Sequence, residues 1–196
     1  MSHRYRPLRT ITLDENGICR IVAPEFPTVD SDDPALQVMT DLRKTKALTT
    51  TAQTSIDACN QYMILNNVRL LLVTNGDLLL GVITAADILG EKPVLHMQKV
   101  GCRRDEIRVA DIMTPAAELE VLLLHEVEEA RVGDIIETLL KNGRHHAMVM
   151  RKDPASGDMQ ICGIFSATQI ARQIGLPIEP ANIAKTFLEL ERAIVG

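Results

Sequence analysis

The sequence predicts an α/β fold in which two tandem β-α-β-β-α repeats pack with pseudo-twofold symmetry. The first observation is that the Val-Met-Thr segment at 38–40 recurs as Ile-Met-Thr at 112–114. The second is that an amphipathic helix follows each segment, and the third is that two short apolar strands follow each helix. A unit of about sixty residues is too small to bury its sheet alone, so we expect the repeats to pack together and to leave ligand-binding clefts where they meet.

The first helix of each repeat is predicted from apolar residues spaced i, i+3, i+4, i+7 and i+8. In the first repeat this stripe begins at Ile56 and has one polar break at Asn60, and in the second it begins at Val132. Both helices are expected to end at an asparagine, Asn66 or Asn142, because the residue that follows each one tolerates the left-handed conformation of a helix end.

Two apolar strands follow each helix, at 70–73 and 78–83 in the first repeat and at 146–149 and 160–165 in the second. The Asn-Gly sequence between the first two strands predicts a tight hairpin. The second pair is joined by a longer polar segment, 151–158, which we expect to be an exposed loop where insertions are tolerated.

Segments outside the repeats complete the predicted organisation. The N-terminal part contains two β-like stretches, at 10–13 and 18–22, and Pro93 predicts the start of a helix between the repeats. The C-terminal part has apolar residues at helical spacing, so we expect this helix to cover the core or to contact another subunit. The predicted parts are an N-terminal extension (1–34), a first repeat (35–92), a helical linker (93–108), a second repeat (109–178) and a C-terminal helix (179–196).

Composition and charge argue against several classes of protein. A formal net charge of −5 and 3% aromatic residues disfavour a nucleic-acid partner, which would require cations for phosphates and rings for bases. The longest apolar runs are short, at 70–73 and 121–124, whereas ~20 residues cross a bilayer, so no membrane span is expected. The N-terminus has no apolar signal core and the cysteines form no Cys-x-x-Cys pair, which favours a cytoplasmic protein whose thiols are reduced and mostly in the core.

Two short segments share one further pattern: residues 81–88 read Gly-Val-Ile-Thr-Ala-Ala-Asp-Ile, and residues 163–170 read Gly-Ile-Phe-Ser-Ala-Thr-Gln-Ile. Both resemble the signature of the cystathionine β-synthase (CBS) domain, in which a glycine and two apolar residues precede Thr or Ser, two variable residues and Asp. Residues 109–115 resemble the start of such a domain. The resemblance covers about residues 35–175 in tandem, as in the two-repeat assembly called a Bateman module.

The resemblance implies a regulatory ligand-sensing module rather than an enzyme. In that family the clefts between paired repeats bind adenine nucleotides or related adenosyl compounds, which implies AMP, ADP, ATP or S-adenosylmethionine as a ligand and no obligatory cofactor. The resemblance also implies a homodimer and a separate regulated protein that receives the signal. The alternative is an interaction or scaffold module that keeps the CBS fold without a bound nucleotide.

The resemblance further implies which residues contact the ligand. Asp87 would accept hydrogen bonds from two ribose hydroxyls, since a carboxylate is acceptor-only, and Thr84 would contact the ribose-phosphate portion. Arg69 and His145 occupy matching places before a strand in each repeat, where family members often place a residue that reaches the phosphate. Apolar strand residues would sandwich the base. The implied nucleotide-binding set is Thr84, Asp87, Leu48, Arg69, Leu71, Ile83, His145 and Ser166.

Helix capping gives a second explanation of the same polar residues. Thr84-x-x-Asp87 and Ser166-x-x-Gln169 are also capping sequences, in which the hydroxyl accepts from a backbone N–H and the third residue reaches back. We expect both hydroxyls to cap their helices whether or not a ligand binds. Gln169 removes the charge from the second copy, so the stronger ribose contact is expected in the first repeat.

Sequence motifs of catalysis and metal binding are missing. No Gly-x-Ser-x-Gly elbow, His-Glu-x-x-His helix or Gly-x-x-x-x-Gly-Lys loop occurs. The adjacent residues His145 and His146 would point to opposite faces of a strand and cannot readily share one metal ion. We therefore expect no catalytic residue and no metal site.

Overall fold

The computed structural model describes residues 7–12, 28–176 and 190–191. The β-like stretch predicted at 18–22 lies outside these residues, as does most of the predicted C-terminal helix. The described part of the stretch predicted at 10–13 is not a strand, which corrects that prediction. Its apolar residue, Ile11, is 84% exposed, so pairing it in a sheet would bury no apolar face.

Short strands and helices alternate through the described residues. The strands are β1 (Thr40–Asp41), β2 (Thr49–Thr50), β3 (Leu70–Asn75), β4 (Leu78–Thr84), β5 (Thr114–Pro115), β6 (Val121–Leu123), β7 (His146–Lys152) and β8 (Met159–Ser166). The α-helices are α1 (Ile56–Leu65), α2 (Ala85–Leu89), α3 (Lys92–Val100), α4 (Val109–Ile112), α5 (Leu124–Glu129), α6 (Val132–Lys141) and α7 (Ala167–Gln173). Short 3-10 helices occupy Ala35–Val38, Arg104–Glu106 and Ala116–Glu118. Within the described residues, no helix has the length and apolar character needed to cross a membrane.

Each repeat has the predicted β-α-β-β-α order. It runs β2-α1-β3-β4-α2 in the first repeat and β6-α6-β7-β8-α7 in the second, where the short α5 precedes α6. β2 is parallel to β3 and β6 is parallel to β7, whereas the hairpins β3-β4 and β7-β8 are antiparallel. The α/β fold class with two tandem repeats is confirmed.

The two sheets exchange their shortest strands. β1 lies at the start of the first repeat but pairs with β8 of the second, giving the sheet order β1-β8-β7-β6. β5 lies at the start of the second repeat but pairs with β4 of the first, giving the order β2-β3-β4-β5. The recurring Met-Thr segments therefore carry the exchanged strands, and each sheet is complete only when both repeats are present.

This exchange explains the glycine of each signature segment. A Cβ atom on Gly81 would overlap the backbone carbonyl oxygen of Thr114 in β5. A Cβ atom on Gly163 would overlap the side-chain sulfur of Met39, which immediately precedes β1. Glycine is required because it lets the exchanged strand come this close. The obstacles differ, since the carbonyl is fixed by the sheet and the methionine side chain can turn.

Each repeat has its own apolar core on the helix side of its sheet. In the first repeat, Met63 of α1 packs with Leu71 and Ile83 of the hairpin. In the second, Ile136 of α6 and Phe165 of β8 occupy the core. All five side chains have at most about 1% of their surface exposed. This burial explains why the apolar stripes seen in the sequence form helices that pack on the strands.

The opposite faces of the two sheets pack against each other. Because successive side chains on a strand point to opposite faces, Leu71 enters the first core while Leu72 points away from it. Leu72 and Val82 of the first sheet form one cluster with Met148 of the second, and Ile164 packs against that cluster. The two repeats are thus joined by apolar contact as well as by the exchanged strands.

The first helices of both repeats end where the sequence predicts. The Ser55 hydroxyl accepts a hydrogen bond from the Ala58 N–H at 3.3 Å and caps α1. α1 ends at Asn66, and the next residue, Asn67, has a φ of 52°. α6 ends in the same way, because Gly143 follows its last cap residue with a φ of 59°.

The segments outside the repeats cover the two repeats differently. The predicted linker helix is α3, which has Pro93 in its first turn and ends at Gly101 with a φ of 75°. Residues 28–33 lie against the second repeat, where the Val29 N–H donates to the carbonyl of Gln173 at 3.1 Å. Leu190 is fully buried in the second core. The boundaries of the five parts remain predictions.

The described cysteines are thiols in or beside the cores. Cys59 and Cys162 are buried, and Cys102 is half-buried. Burial raises the pKa of the Cys59 thiol to about 11 and also raises the pKa of the Cys162 thiol. Both buried thiols are therefore neutral at pH 7 and act as small apolar residues.

Candidate functional site

The candidate site lies where the hairpin of each repeat ends and its second helix begins. In the first repeat, the Ala85 N–H donates to the carbonyl of Arg69 at 2.9 Å. In the second, the Ala167 N–H donates to the carbonyl of His145 at 2.9 Å. These equivalent bonds hold Arg69 beside the start of α2 and His145 beside the start of α7, so the two residues match in space as they do in sequence.

The start of α2 is a complete capping box formed by Thr84 and Asp87. The Asp87 N–H donates to the Thr84 hydroxyl oxygen at 3.2 Å. In return, Asp87 Oδ2 accepts from the Thr84 N–H at 2.8 Å and from the Thr84 hydroxyl at 2.7 Å. The predicted capping role of Thr84 is confirmed, and one carboxylate oxygen of Asp87 serves the helix.

The other carboxylate oxygen of Asp87 is paired with a lysine. Lys92 Nζ lies 2.6 Å from Asp87 Oδ1, and the same ammonium donates to the carbonyl oxygen of Ile112 at 3.1 Å. The Asp87 side chain is 13% exposed, whereas the Lys92 side chain is 42% exposed. The carboxylate is therefore held in place, and the lysine is the partner that faces solvent.

The start of α7 uses different contacts. Ser166 occupies the cap position, but its hydroxyl accepts no hydrogen bond from the helix, so the predicted capping role of this side chain is wrong. Gln169 Oε1 instead accepts from the hydroxyl of Thr40 in the exchanged strand β1 at 3.0 Å. Because that amide turns toward the other repeat, it does not complete the reciprocal cap that Asp87 makes in α2.

Residues of both repeats meet in one place, which we call the polar corner: Arg69, Asp87, His145 and His146. Burial and the positive charge of Arg69 lower the pKa of His145. Burial, together with the charges of His145 and Arg69, lowers the pKa of His146 to about 4, and the charge of Asp87 opposes this lowering. Because His145, Arg69 and Asp87 each act electrostatically on His146, these three residues lie around the His146 side chain.

Metal binding finds no support in the polar corner or elsewhere in the part of the chain that the structure describes. No group of three or more His, Cys, Asp or Glu residues there is arranged to hold a metal ion.

The apolar residues predicted to sandwich a base lie in different environments. Leu71 and Ile83 are fully buried in the first core, so their side chains offer no surface to a ligand. That part of the expectation is corrected, because these residues sit on the face of the sheet that packs on α1. Leu48 is half-buried at the border of the same core and keeps a surface that a ligand can contact.

Two surface hollows lie away from the polar corner, beside the second repeat. The smaller, of about 200 Å³, lies between residues 28–31 and Ile136. The larger, of about 580 Å³, is bordered by Arg131 and Glu137, and Glu191 also lines it. None of the predicted ligand residues borders either hollow.

Two polar contacts at the site are missed from the sequence, those of Lys92 and Thr40. Lys92 is the first residue of α3, and the only local signal is its place just before the helix-starting Pro93. Thr40 belongs to the recurring Met-Thr segment, whose repetition marks it without showing which residue it contacts. Both contacts depend on how separate segments meet in space.

Comparison with known proteins supports the tandem-repeat fold. Residues 18–93 match the family model of the CBS domain. No functionally curated protein matches the chain. The sequence match therefore covers the first repeat, and the second is recognised by its fold.

Solved structures share the arrangement of both repeats. An uncharacterized conserved protein from Pyrococcus horikoshii is 23% identical with a TM-score of 0.52, and the match covers 78% of this chain and 100% of that chain. CBSX2 of Arabidopsis thaliana, in complex with AMP, is 21% identical with a TM-score of 0.50, over 71% of this chain and 94% of that chain. MJ1225 from Methanocaldococcus jannaschii is 22% identical with a TM-score of 0.51, over 70% of this chain and 48% of that chain. Residues 18–93 therefore match the CBS domain, and the chain has the tandem α/β fold of CBS-pair structures.

Proposed function

We propose that this chain is a regulatory module that binds an adenosine-containing ligand between its repeats and signals to a separate protein. The observation that supports the proposal best is the polar corner, where Asp87 of the first repeat lies near His146 of the second. A carboxylate suits the hydroxyls of a ribose, and Arg69 suits a phosphate. The corner thus combines the two chemistries that a nucleotide requires.

The fold supports a nucleotide as the ligand class. CBSX2, which shares the fold, is a complex with AMP. We therefore propose AMP, ADP, ATP or S-adenosylmethionine as the ligand, bound by the residues that keep an accessible or polar surface at the site. These residues are Leu48, Arg69, Thr84, Asp87, His145 and Ser166.

A homodimer is part of the proposal. The helices of the first repeat and the linker helix present large apolar side chains to solvent, including Ile64 and Leu65 of α1, Leu89 of α2 and Leu95 of α3. In the second repeat, the residue equivalent to Ile64 is Leu140, which is half-buried against the core. Large apolar side chains exposed to solvent favour association with a second copy. Light scattering tests it, and a monomeric mass at tens of micromolar protein would reject the dimer.

The second candidate function is a scaffold module without a nucleotide, favoured by the internal contacts of Asp87. Both carboxylate oxygens already have partners, Thr84 and Lys92. A structural role of the carboxylate would account for these contacts without a ligand. In either case we propose a regulatory rather than catalytic protein that acts in the cytoplasm.

A thermal-shift screen of adenosine, AMP, ADP, ATP and S-adenosylmethionine tests the ligand. A ligand present at 100 times its dissociation constant stabilises the folded state by about 2.7 kcal/mol, which is a clear rise in melting temperature. GMP serves as the matched control, because it keeps the ribose and phosphate and changes the base. If none of the adenosyl compounds raises the melting temperature at millimolar concentration, the scaffold function takes the place of the sensing function.

A further inference from the structure

The Asp87 carboxylate has too few acceptor positions for its present partners and a ribose together. Two carboxylate oxygens offer about four lone-pair positions. Oδ2 accepts from the Thr84 N–H at 2.8 Å and from the Thr84 hydroxyl at 2.7 Å, which uses two of them. Oδ1 lies 2.6 Å from Lys92 Nζ, which uses a third. One position remains, whereas a pair of vicinal hydroxyls requires two.

Lys92 is the partner of Asp87 that a ligand can displace at the lowest cost. The Thr84 N–H bond belongs to the cap of α2, and losing it would leave a backbone donor of a half-buried residue unsatisfied. The Lys92 side chain is 42% exposed, so its ammonium is hydrated readily when it leaves the carboxylate. A ligand that binds Asp87 through both ribose hydroxyls therefore competes with Lys92.

Lys92 also joins the first repeat to the start of the second. Its ammonium donates to the carbonyl oxygen of Ile112 at 3.1 Å, two residues before the exchanged strand β5 begins. Because Lys92 is the first residue of α3, the contact fixes the N-terminal end of the linker helix between α2 and the chain that leads into β5. Removing the ammonium from Asp87 loosens this connection.

We propose that Lys92 is a latch that occupies the ribose-binding carboxylate in the absence of ligand and is displaced when ligand binds. Displacement releases the N-terminal end of α3 and thereby passes the binding event to the segment that joins the repeats. The latch rests on the proposed function, since it requires a ribose-containing ligand at Asp87. The latch lowers the affinity for that ligand, because the Lys92 contacts must be broken before the ligand binds.

Adenosine and AMP binding to Lys92→Met tests the latch by calorimetry. Methionine keeps an unbranched apolar stem and removes the charge, so adenosine should bind about three- to tenfold more tightly than to wild type. Lys92→Arg keeps a cation and should bind adenosine like wild type. Lys99→Met, in the exposed last turn of the same helix, is the matched control for loss of one positive charge and should also leave adenosine affinity unchanged.

Hydrogen exchange of residues 92–100 gives the second measurement. Exchange should rise in ligand-free Lys92→Met and in wild type saturated with adenosine, but not in Lys99→Met. Adenosine should add little to the exchange already seen in Lys92→Met. Circular dichroism first shows that each variant is folded.

The outcomes separate the latch from the proposed function. If wild type binds adenosine and Lys92→Met binds it equally or more weakly, the latch is rejected and the nucleotide site stands. If Lys92→Met weakens AMP but not adenosine, Lys92 is a phosphate contact and the latch is also rejected. If Lys92→Met binds adenosine and wild type does not, the latch is supported. If neither protein binds adenosine or AMP at millimolar concentration, the proposed function fails and the latch fails with it.

Discussion

The starts of α2 and α7 occupy equivalent places in the two repeats, yet their polar contacts differ in kind. At α2 the Asp87 carboxylate completes a local cap and pairs with Lys92. At α7 the Gln169 amide turns away from its own helix and accepts from Thr40, a residue far away in the chain. Exchanging one acidic residue for an amide has replaced a charged local cap by a neutral bond between repeats. The comparison teaches that one signature pattern can form a local charged cap in one copy and a contact between repeats in the other.

The glycines of the two signatures give the largest expected difference between the repeats. Gly81→Ala forces a Cβ into the backbone carbonyl of Thr114, so we expect a loss of about 3 kcal/mol of unfolding free energy or more. Gly163→Ala meets the Met39 side chain, which can change rotamer, so we expect a loss of about 1 kcal/mol. Urea unfolding followed by circular dichroism measures both. Equal losses in the two variants would show that the exchanged strands approach the sheets alike.

Ligand affinity should depend on the first signature far more than on the second. Hydrogen bonds to a charged group contribute ~1.5–3 kcal/mol, so Asp87→Ala should weaken the binding of an adenosyl ligand by about 2–3 kcal/mol, or roughly 30- to 150-fold. Gln169→Ala removes a neutral amide that already serves Thr40 and should change affinity by less than about threefold. Calorimetry on variants shown to be folded compares them. A wild-type affinity in Asp87→Ala together with a loss in Gln169→Ala would move the site to the second repeat.

His146, the first residue of β7, should make the stability of the protein depend on pH. His146 occupies the place that Leu70 has in the first repeat. The pKa of His146 is about 4 in the folded protein and 6.5 without the fold, so between these pH values the unfolded chain binds more protons. Stability is therefore full above pH 6.5 and falls as the pH is lowered toward 4, by about 2 kcal/mol.

His146→Leu copies the first repeat and sharpens this pH comparison. The variant should lose most of the decline in stability between pH 6.5 and 4, as measured by urea midpoints at a series of pH values. His125→Leu, an exposed histidine on α5, is the control and should keep the decline. An unchanged pH profile in His146→Leu would assign the decline to other groups.

The hairpin loops should give the smallest difference. Residues 154–158 are exposed, and the turn is closed by its own contacts, since Asp153 Oδ1 accepts from the N–H groups of Ala155 and Ser156 at 2.8 and 3.0 Å. Replacing this loop with the Asn-Gly turn of the first repeat should leave the melting temperature nearly unchanged. A loss of several degrees would indicate that the loop packs on a second subunit.

Local patterns predicted the repeat order and the ends of the first helices, because those features depend on nearby residues. The apolar stripe that begins at Ile56 and the left-handed residue after Asn66 depend only on residues within a few helical turns of each other in the sequence. The capping box of Thr84 and Asp87 is also local, and it formed as expected. The Ser166 cap did not form, and the Gln169 side chain, instead of reaching back to the start of its helix, accepts from Thr40 of the other repeat.

The contacts that the sequence did not predict join segments that are distant in the chain. β1 and β5 are two residues long, too short for any periodic signal, and their partners lie in the other repeat. The pairing of Lys92 with Asp87 requires the turn between α2 and α3 to bring the two together. In the sequence, Leu71 and Ile83 cannot be distinguished from other apolar strand residues. Only the register of the hairpin shows that both face the core.

Strand exchange imposes an order of events while the chain is being synthesised. β5 pairs with β4, so the first sheet can close once residue 115 has left the ribosome. β1 pairs with β8, and Thr40 must wait for Ile164 before it has its neighbour. At ~5–20 residues per second this wait is on the order of ten seconds, during which the nascent segment around Met39 has no sheet to join. The second sheet is thus completed by β1, a segment that is synthesised long before the rest of that sheet. The unpaired edge of β8 is exposed only briefly, because β1 is already available when β8 forms.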